Sequence, residues 1–238
     1  MFLLLLKAIS PMGKEGVFFI PMFFNRFILL AYISFIFTQA PGAFSITRIQ
    51  YGGGGDWYSD PSSIPNLLNY VELYTNITVN KMEQRSKIGE DLFHRSPYLY
   101  MTGHGNIKFT DDDVFTLRAH LLAGAFLHAD DNYGMDQSFR REMKKVFPDK
   151  EWVELPPSHE IFKSHFILPN GLPKVHEHDK KRPQALGLFE SDRLVVLYTV
   201  ESDLGDGWED AGVHQNSQDM RSAALQMGTN IIVYTLSQ

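Results

Sequence analysis

Residues 98–131 constrain the fold most. Tyr98 to Met101 is a short apolar run that ends at Thr102-Gly-His-Gly105. Thr110, with Asp113 three residues on, forms a capping box for a helix whose apolar face is Val114, Leu117, Leu121 and Leu122. Gly124 ends that helix, and residues 125–129 are a second apolar run leading straight into Asp130-Asp131-Asn132-Tyr133-Gly134. Short buried-type strands alternating with helices argue for a mainly parallel sheet covered on both faces.

The neighbouring segments extend the alternation. Residues 46–51 read as a strand, followed by a helix capped by Ser62 or Ser63 with Pro65 in its first turn. Its apolar face is Leu67, Leu68, Val71 and Leu73 or Tyr74. A strand at 77–79 and a short helix at 89–94 precede the central unit. After it come a helix at 138–147, a strand at 152–155 stopped by Pro156-Pro157, and a hairpin of 186–189 with 194–200 around Ser191-Asp192. Met220, Ala223, Ala224, Met227 and Ile231 give a final helix its spacing. The reading is a single α/β domain over 44–238.

Residues 1–43 differ in composition. They hold Lys7, Lys14 and Arg26 against Glu15 alone, leaving 19 basic and 27 acidic residues beyond them. Residues 27–37 are an uncharged apolar run of eleven, preceded by Arg26 and followed by Ala40-Pro-Gly-Ala43. That pattern suits a secretory signal peptide and is short for a bilayer span of about 20 residues. An uncleaved membrane anchor is the alternative, and Met22 is an alternative start. The expected location is exported: periplasmic, or anchored and facing the periplasm, with membrane contact only through this leader.

The 238 residues include no cysteine, which excludes thiol nucleophiles, thiolate metal sites and disulfides. A net charge of -6 without a basic run argues against a nucleic-acid partner.

In open parallel sheets, ligands sit beyond the carboxyl ends of the strands. Three such ends are chemically unusual here. The first carries four glycines and Asp56-Trp57, so Gly53, Gly54, Asp56 and Trp57 are candidate ligand contacts. The glycines lack the ending of a phosphate loop and equally suit a tight turn. The second carries His104, and the third carries His128, Asp130, Asp131, Asn132 and Tyr133. Later loops add His176 and His178, and the acidic segment with Asp203, Asp206 and Trp208.

An imidazole beside carboxylates suits a divalent metal or acid–base work. His128, His176 and His178 are the candidate metal ligands. Asp130, Asp131 and His104 are the candidate catalytic groups. His104, Asn132, Tyr133, Asp203, Asp206 and Trp208 are candidate ligand contacts, with Trp57, Trp208, Tyr58 and Tyr133 as stacking surfaces. Each also has an ordinary reading, as a packed histidine, a polar turn or a core aromatic. The Gly-x-Ser-x-Gly elbow of serine hydrolases is missing.

The blocks YGGGGDWYSDPSSIPNLL, PYLYMTGHGN, LLAGAFLHADDNYGMDQSFRREMKKVFP, LPNGLPKVHEHD and YTVESDLGDGWED resemble the bacterial domain-of-unknown-function 4159 family over about 46–236. The resemblance implies a class I glutamine amidotransferase-like (flavodoxin-like) fold and an envelope role. It also implies a nucleophile elbow from which the cysteine is missing, so glutaminase chemistry by that route is excluded. His159-Glu-Ile-Phe162 looks like the His-Pro-Ile segment of trehalose-utilisation-type relatives, with Glu160 in place of proline.

Three readings remain open at this level. One is an envelope module that binds a small polar ligand or an envelope protein. Another is a metal-assisted hydrolase of a carbohydrate or amide bond, with His128 and His176 as ligands and Asp130 or Asp131 as base. The third is a purely structural module. Convergence of the histidines and carboxylates in one cleft discriminates between them.

Overall fold

The computed structural model describes residues 42–238. The leader expected within 1–43 lies outside the described residues, apart from its last two positions. Seven strands form one sheet: β1 (Thr47–Ile49), β2 (Gln84–Ser86), β3 (Tyr98–Gly103), β4 (Phe126–Asp131), β5 (Val153–Glu154), β6 (Gln184–Glu190) and β7 (Arg193–Val200). Their order is β2-β1-β3-β4-β7-β6-β5. The first five in that order pair in parallel, and β6 and β5 add antiparallel.

The helices are α1 (Ser63–Tyr74), α2 (Asp91–Arg95), α3 (Asp111–Leu122), α4 (Asp136–Val146), α5 (Leu204–Trp208) and α6 (Gln218–Leu236). They cover two faces, each with its own core. Period-two alternation sorts the strands between them. Tyr98, Tyr100 and Phe126 pack with Leu67, Leu68 and Val71 of α1 and with Ala224, Met227 and Ile231 of α6. Leu99, Met101, Leu127 and Ala129 pack with Leu117 and Leu121 of α3 and with Phe139 and Met143 of α4. Each of the larger aliphatic and aromatic side chains among them contributes roughly 1.5–3 kcal/mol by leaving water.

The capping box of α3 is present, with Thr110 accepting from the Asp113 amide and Asp113 from the Thr110 amide. Several local expectations differ. Ser62, the N-cap of α1, makes no side-chain cap hydrogen bond, and Leu122 of α3 is 40% exposed. Leu73 and Tyr74 are 74% and 49% exposed, because α1 turns Ile64, Leu67, Leu68 and Val71 inward instead. The strand expected at 77–79 is reduced to one bridge, Phe44 with Val79. The pairing strand is the polar edge segment Gln84–Ser86. The acidic segment is not a bare turn: residues 204–208 form α5.

Among the described residues, no helix is long and apolar enough to cross a membrane.

Candidate metal centre

The carboxyl ends of β3, β4 and β7 lie side by side, with Gly103 opposite Asp131 and Asp130 opposite Thr199. Beyond β7 the chain turns sharply. Glu201 and Asp203 adopt left-handed backbone at φ 57 and 56 before α5 begins. Asp60, ahead of α1, is left-handed as well, at φ 53. Such conformations cost about 1–3 kcal/mol each and persist where the surroundings enforce them. The 175–178 segment is tied to this turn. The Val175 amide donates to the Ser202 carbonyl at 2.8 Å, and the Ser202 hydroxyl donates to the Pro173 carbonyl at 2.6 Å.

Two glycines shape α5, Gly205 and Gly207, the second lying against Ala224 of α6. A Cβ on Gly205 would sit 2.5 Å from Asp60 Oδ2, so only glycine lets the helix lie against that carboxylate. Asp130, below it, accepts the Gly205 amide at 2.7 Å and the Thr199 hydroxyl at 2.5 Å.

This framework brings three imidazoles and four carboxylates together. Asp206 Oδ2 is 2.6 Å from His176 Nδ1, and its Oδ1 is 3.4 Å from His214 Nε2. Asp203 Oδ2 is paired with His178 Nε2 and stands 3.7 Å from His176 Nδ1. Glu209 Oε2 is 3.0 Å from His214 Nε2, and its Oε1 accepts from the amide and hydroxyl of Ser62. Asp60 Oδ2 accepts from Asn132 Nδ2 at 2.6 Å, and Asn132 Oδ1 accepts the Thr102 hydroxyl at 2.8 Å.

Among the described residues, three groups place three ligand atoms within 4.8 Å of one another. They are His176–His178–Asp203, His176–Asp206–His214 and Asp60–Glu209–His214.

The electrostatics of the cluster favour a cation. Burial, then the neighbouring Asp60 and Asp203 carboxylates, push the Asp206 carboxyl up to about 9. Burial raises Asp60 and Asp203 as well, although His178 and His176 oppose the rise at Asp203. His176 is lowered, chiefly by burial. Asp203, 1% exposed, leaves its Oδ1 without a hydrogen-bond partner among the described residues. Such an orphan costs roughly 1–3 kcal/mol or more. A divalent cation held by these imidazoles and carboxylates would offset the repulsion among them.

The expected site residues divide accordingly. His176, His178, Asp203 and Asp206 converge. Asn132 supports the cluster by holding Asp60. Tyr133 stands at the rim, its ring stacked on His178 at 4.6 Å.

His128 does not join the other two histidines. It is fully buried beside Tyr100 and Trp208, with Nε2 3.1 Å from Thr199 Oγ1, and burial lowers its pKa to about 3. It is a neutral core histidine in this structure. Trp208 is 1% exposed and donates Nε1–H to the Ala224 carbonyl at 2.8 Å, so its ring is core and not a stacking surface.

Asp130 and Asp131 fall on opposite sheet faces and do not act as a pair. Burial pushes Asp130 up to about 8 and Asp131 up to about 6. Asp131 accepts the amides of Tyr133 and Met135, both at 3.1 Å.

The glycine loop packs against the 104–108 segment. Gly53 has φ +110, and a Cβ there would lie 2.6 Å from the Lys108 amide. Gly54 is the open tip. Asp56 binds the His104 amide and stands 3.0 Å from its Nδ1, leaving a half-exposed imidazole oriented by a carboxylate. Trp57 lines a cleft with Tyr51, Lys87 and Phe109. His159 accepts the Ile161 amide at Nδ1 and caps the 3₁₀ turn Glu160–Phe162.

Asp60, Glu209, His214 and Asn216 escaped the sequence reading. Glu209 stood within the acidic segment already noted. His214 follows it by five residues, and that spacing was the available signal. Nothing local to Asp60 marks it.

No curated protein matches the chain. A family model described as a domain of unknown function (DUF4159) matches residues 45–236, which takes in every residue of the cluster. The chain belongs to the DUF4159 family.

Proposed function

We propose that this domain is a divalent-metal protein and a metal-assisted hydrolase of a small polar substrate, its bond a glycosidic or amide one. The observation that carries the reading is the convergence of His176, His178 and His214 on Asp203 and Asp206, with the buried Asp203 Oδ1 unpartnered. Imidazole and carboxylate together suit zinc, manganese or iron, and such an ion supplies an activated water near neutral pH. Asn216 Oδ1, 3.1 Å from His176 Nε2, keeps the proton on that nitrogen and leaves Nδ1 as the ligand atom. Tyr133, half-exposed over His178, offers a flat surface for the substrate.

A second reading has its own support. Asp130 and Asp131, the expected bases, each already accept two hydrogen bonds. That favours a metal-dependent module that holds a polar ligand or an envelope protein without turning it over.

The parallel order β2-β1-β3-β4-β7 parallels the 2-1-3-4-5 order of flavodoxin-like sheets and supports a class I glutamine amidotransferase-like fold. We place the protein in the bacterial envelope, exported or anchored, on the charge asymmetry and apolar run of residues 1–43.

The test uses the full chain purified without chelator or affinity histidines, assayed for metal and then against chromogenic glycosides and amides. Turnover that is abolished by chelator and by the His176→Ala, His178→Ala double substitution supports the hydrolase. Bound metal without turnover supports the binding module. Absence of metal and of any response to added zinc or manganese leaves a structural module.

A further inference from the structure

The three ligand groups overlap in a particular way. His176–His178–Asp203 and Asp60–Glu209–His214 share no residue. The third group takes one histidine from each and joins them through Asp206. Asp206 divides its two oxygens, Oδ2 toward His176 and Oδ1 toward His214. A carboxylate that faces two ligand sets with separate oxygens has the disposition of a bridge between neighbouring cations.

We propose that the site holds two divalent cations side by side, one on His176, His178 and Asp203, the other on Asp60, Glu209 and His214, bridged by Asp206. This rests on the metal reading above and goes beyond it in number and arrangement.

Charge supports the count. Asp60, Asp203, Asp206 and Glu209 carry four negative charges when ionised, and all four are buried. Among the described residues, no lysine or arginine side chain pairs with any of the four carboxylates. Two guanidiniums come near: Arg48 is taken by Glu83 at 2.7 Å and by the carbonyls of Ser59 and Asp60, and Arg221 donates to the Glu209 backbone carbonyl. One divalent ion leaves two buried charges uncompensated, whereas two ions neutralise the set.

The supporting bonds agree with this division. Ser62 holds Glu209 Oε1 and leaves Oε2 directed at His214. Asn132 holds Asp60 Oδ2, and Asn216 holds His176 Nε2. Ligands fixed from behind in this way are typical of built metal sites. Paired ions at about 3.5–4 Å can hold the attacking water and polarise the bond under attack, which within the reading above favours the amide as substrate.

Manganese(II) alone is the probe, titrated into chelator-stripped full-length protein and followed by calorimetry and electron paramagnetic resonance. The expected result is two equivalents per chain and an exchange-coupled spectrum at full loading. Glu209→Gln, which keeps the Ser62 contact, should reduce binding to one equivalent and remove the coupling. Circular dichroism confirms that the variant is folded, and the wild-type spectrum decides independently if it is not.

One equivalent in the wild type overturns the pair but leaves the single-ion reading intact. Two equivalents without coupling overturn the bridge. No binding overturns both this inference and the metal reading on which it rests.

Discussion

The Nδ1 atom of His176 lies 2.6 Å from Asp206 Oδ2, while its Nε2 atom meets Asn216 Oδ1 at 3.1 Å. The ring is therefore held between an amide oxygen that accepts its Nε2–H and a carboxyl group that meets its Nδ1. Asn216→Ala removes the support without removing a ligand. Outer partners of this kind are worth about 10–100-fold in metal affinity. Competition against a chromophoric chelator should show a loss in that range with little change in melting temperature. Unchanged affinity would mean that Asn216 does not orient the ring.

His128 makes acid stability a test of its core role. Its folded pKa is lowered to about 3 by burial, while an unfolded histidine titrates near 6.5. Between those values the unfolded state binds the proton and the folded state does not, so stability falls as pH falls through that window. His128→Leu removes this titration. From pH 7 to pH 5, in chelator, the wild type should lose about 2 kcal/mol more stability than the variant by urea unfolding. Parallel losses in the two proteins would show that His128 is not buried neutral.

Gly205 and Gly53 separate site from scaffold. Alanine at 205 places a methyl group 2.5 Å from Asp60 Oδ2 and should weaken metal binding by at least about tenfold, as well as lowering stability. Alanine at 53 collides with the Lys108 amide in a left-handed conformation and should cost about 1–3 kcal/mol. Metal stoichiometry should be unaffected by it. Equal effects of both variants on metal content would contradict the assignment of the glycine loop to packing.

The alternation of strands and helices was readable because burial on both faces makes the strands start as short apolar runs, as at Tyr98–Met101 and Phe126–Leu127. Gln84–Ser86 was not, because an edge strand can be wholly polar and still pair through its backbone. The two loops rich in histidine and aspartate pointed to His176, His178, Asp203 and Asp206, but not to which histidine belongs with them.

His128 carried the same local pattern of a histidine beside acids. Strand alternation turns it inward under Trp208, a fact set by tertiary packing. Asp60 reaches the cluster from 143 residues before Asp203, so only the fold brings them together. Trp208 read as a loop aromatic because α5 is one short turn held in place by glycines at 205 and 207.

Metal content decides whether the histidine–carboxylate cluster is a metal centre. The full chain, purified without chelator or affinity histidines, is analysed for zinc, manganese and iron beside the His176→Ala, His178→Ala double variant. A metal centre gives near-stoichiometric or higher metal in the wild type and a loss of at least half in a variant that remains folded. A folded wild-type protein that carries no metal, and whose melting temperature does not change with added zinc or manganese, would contradict that reading.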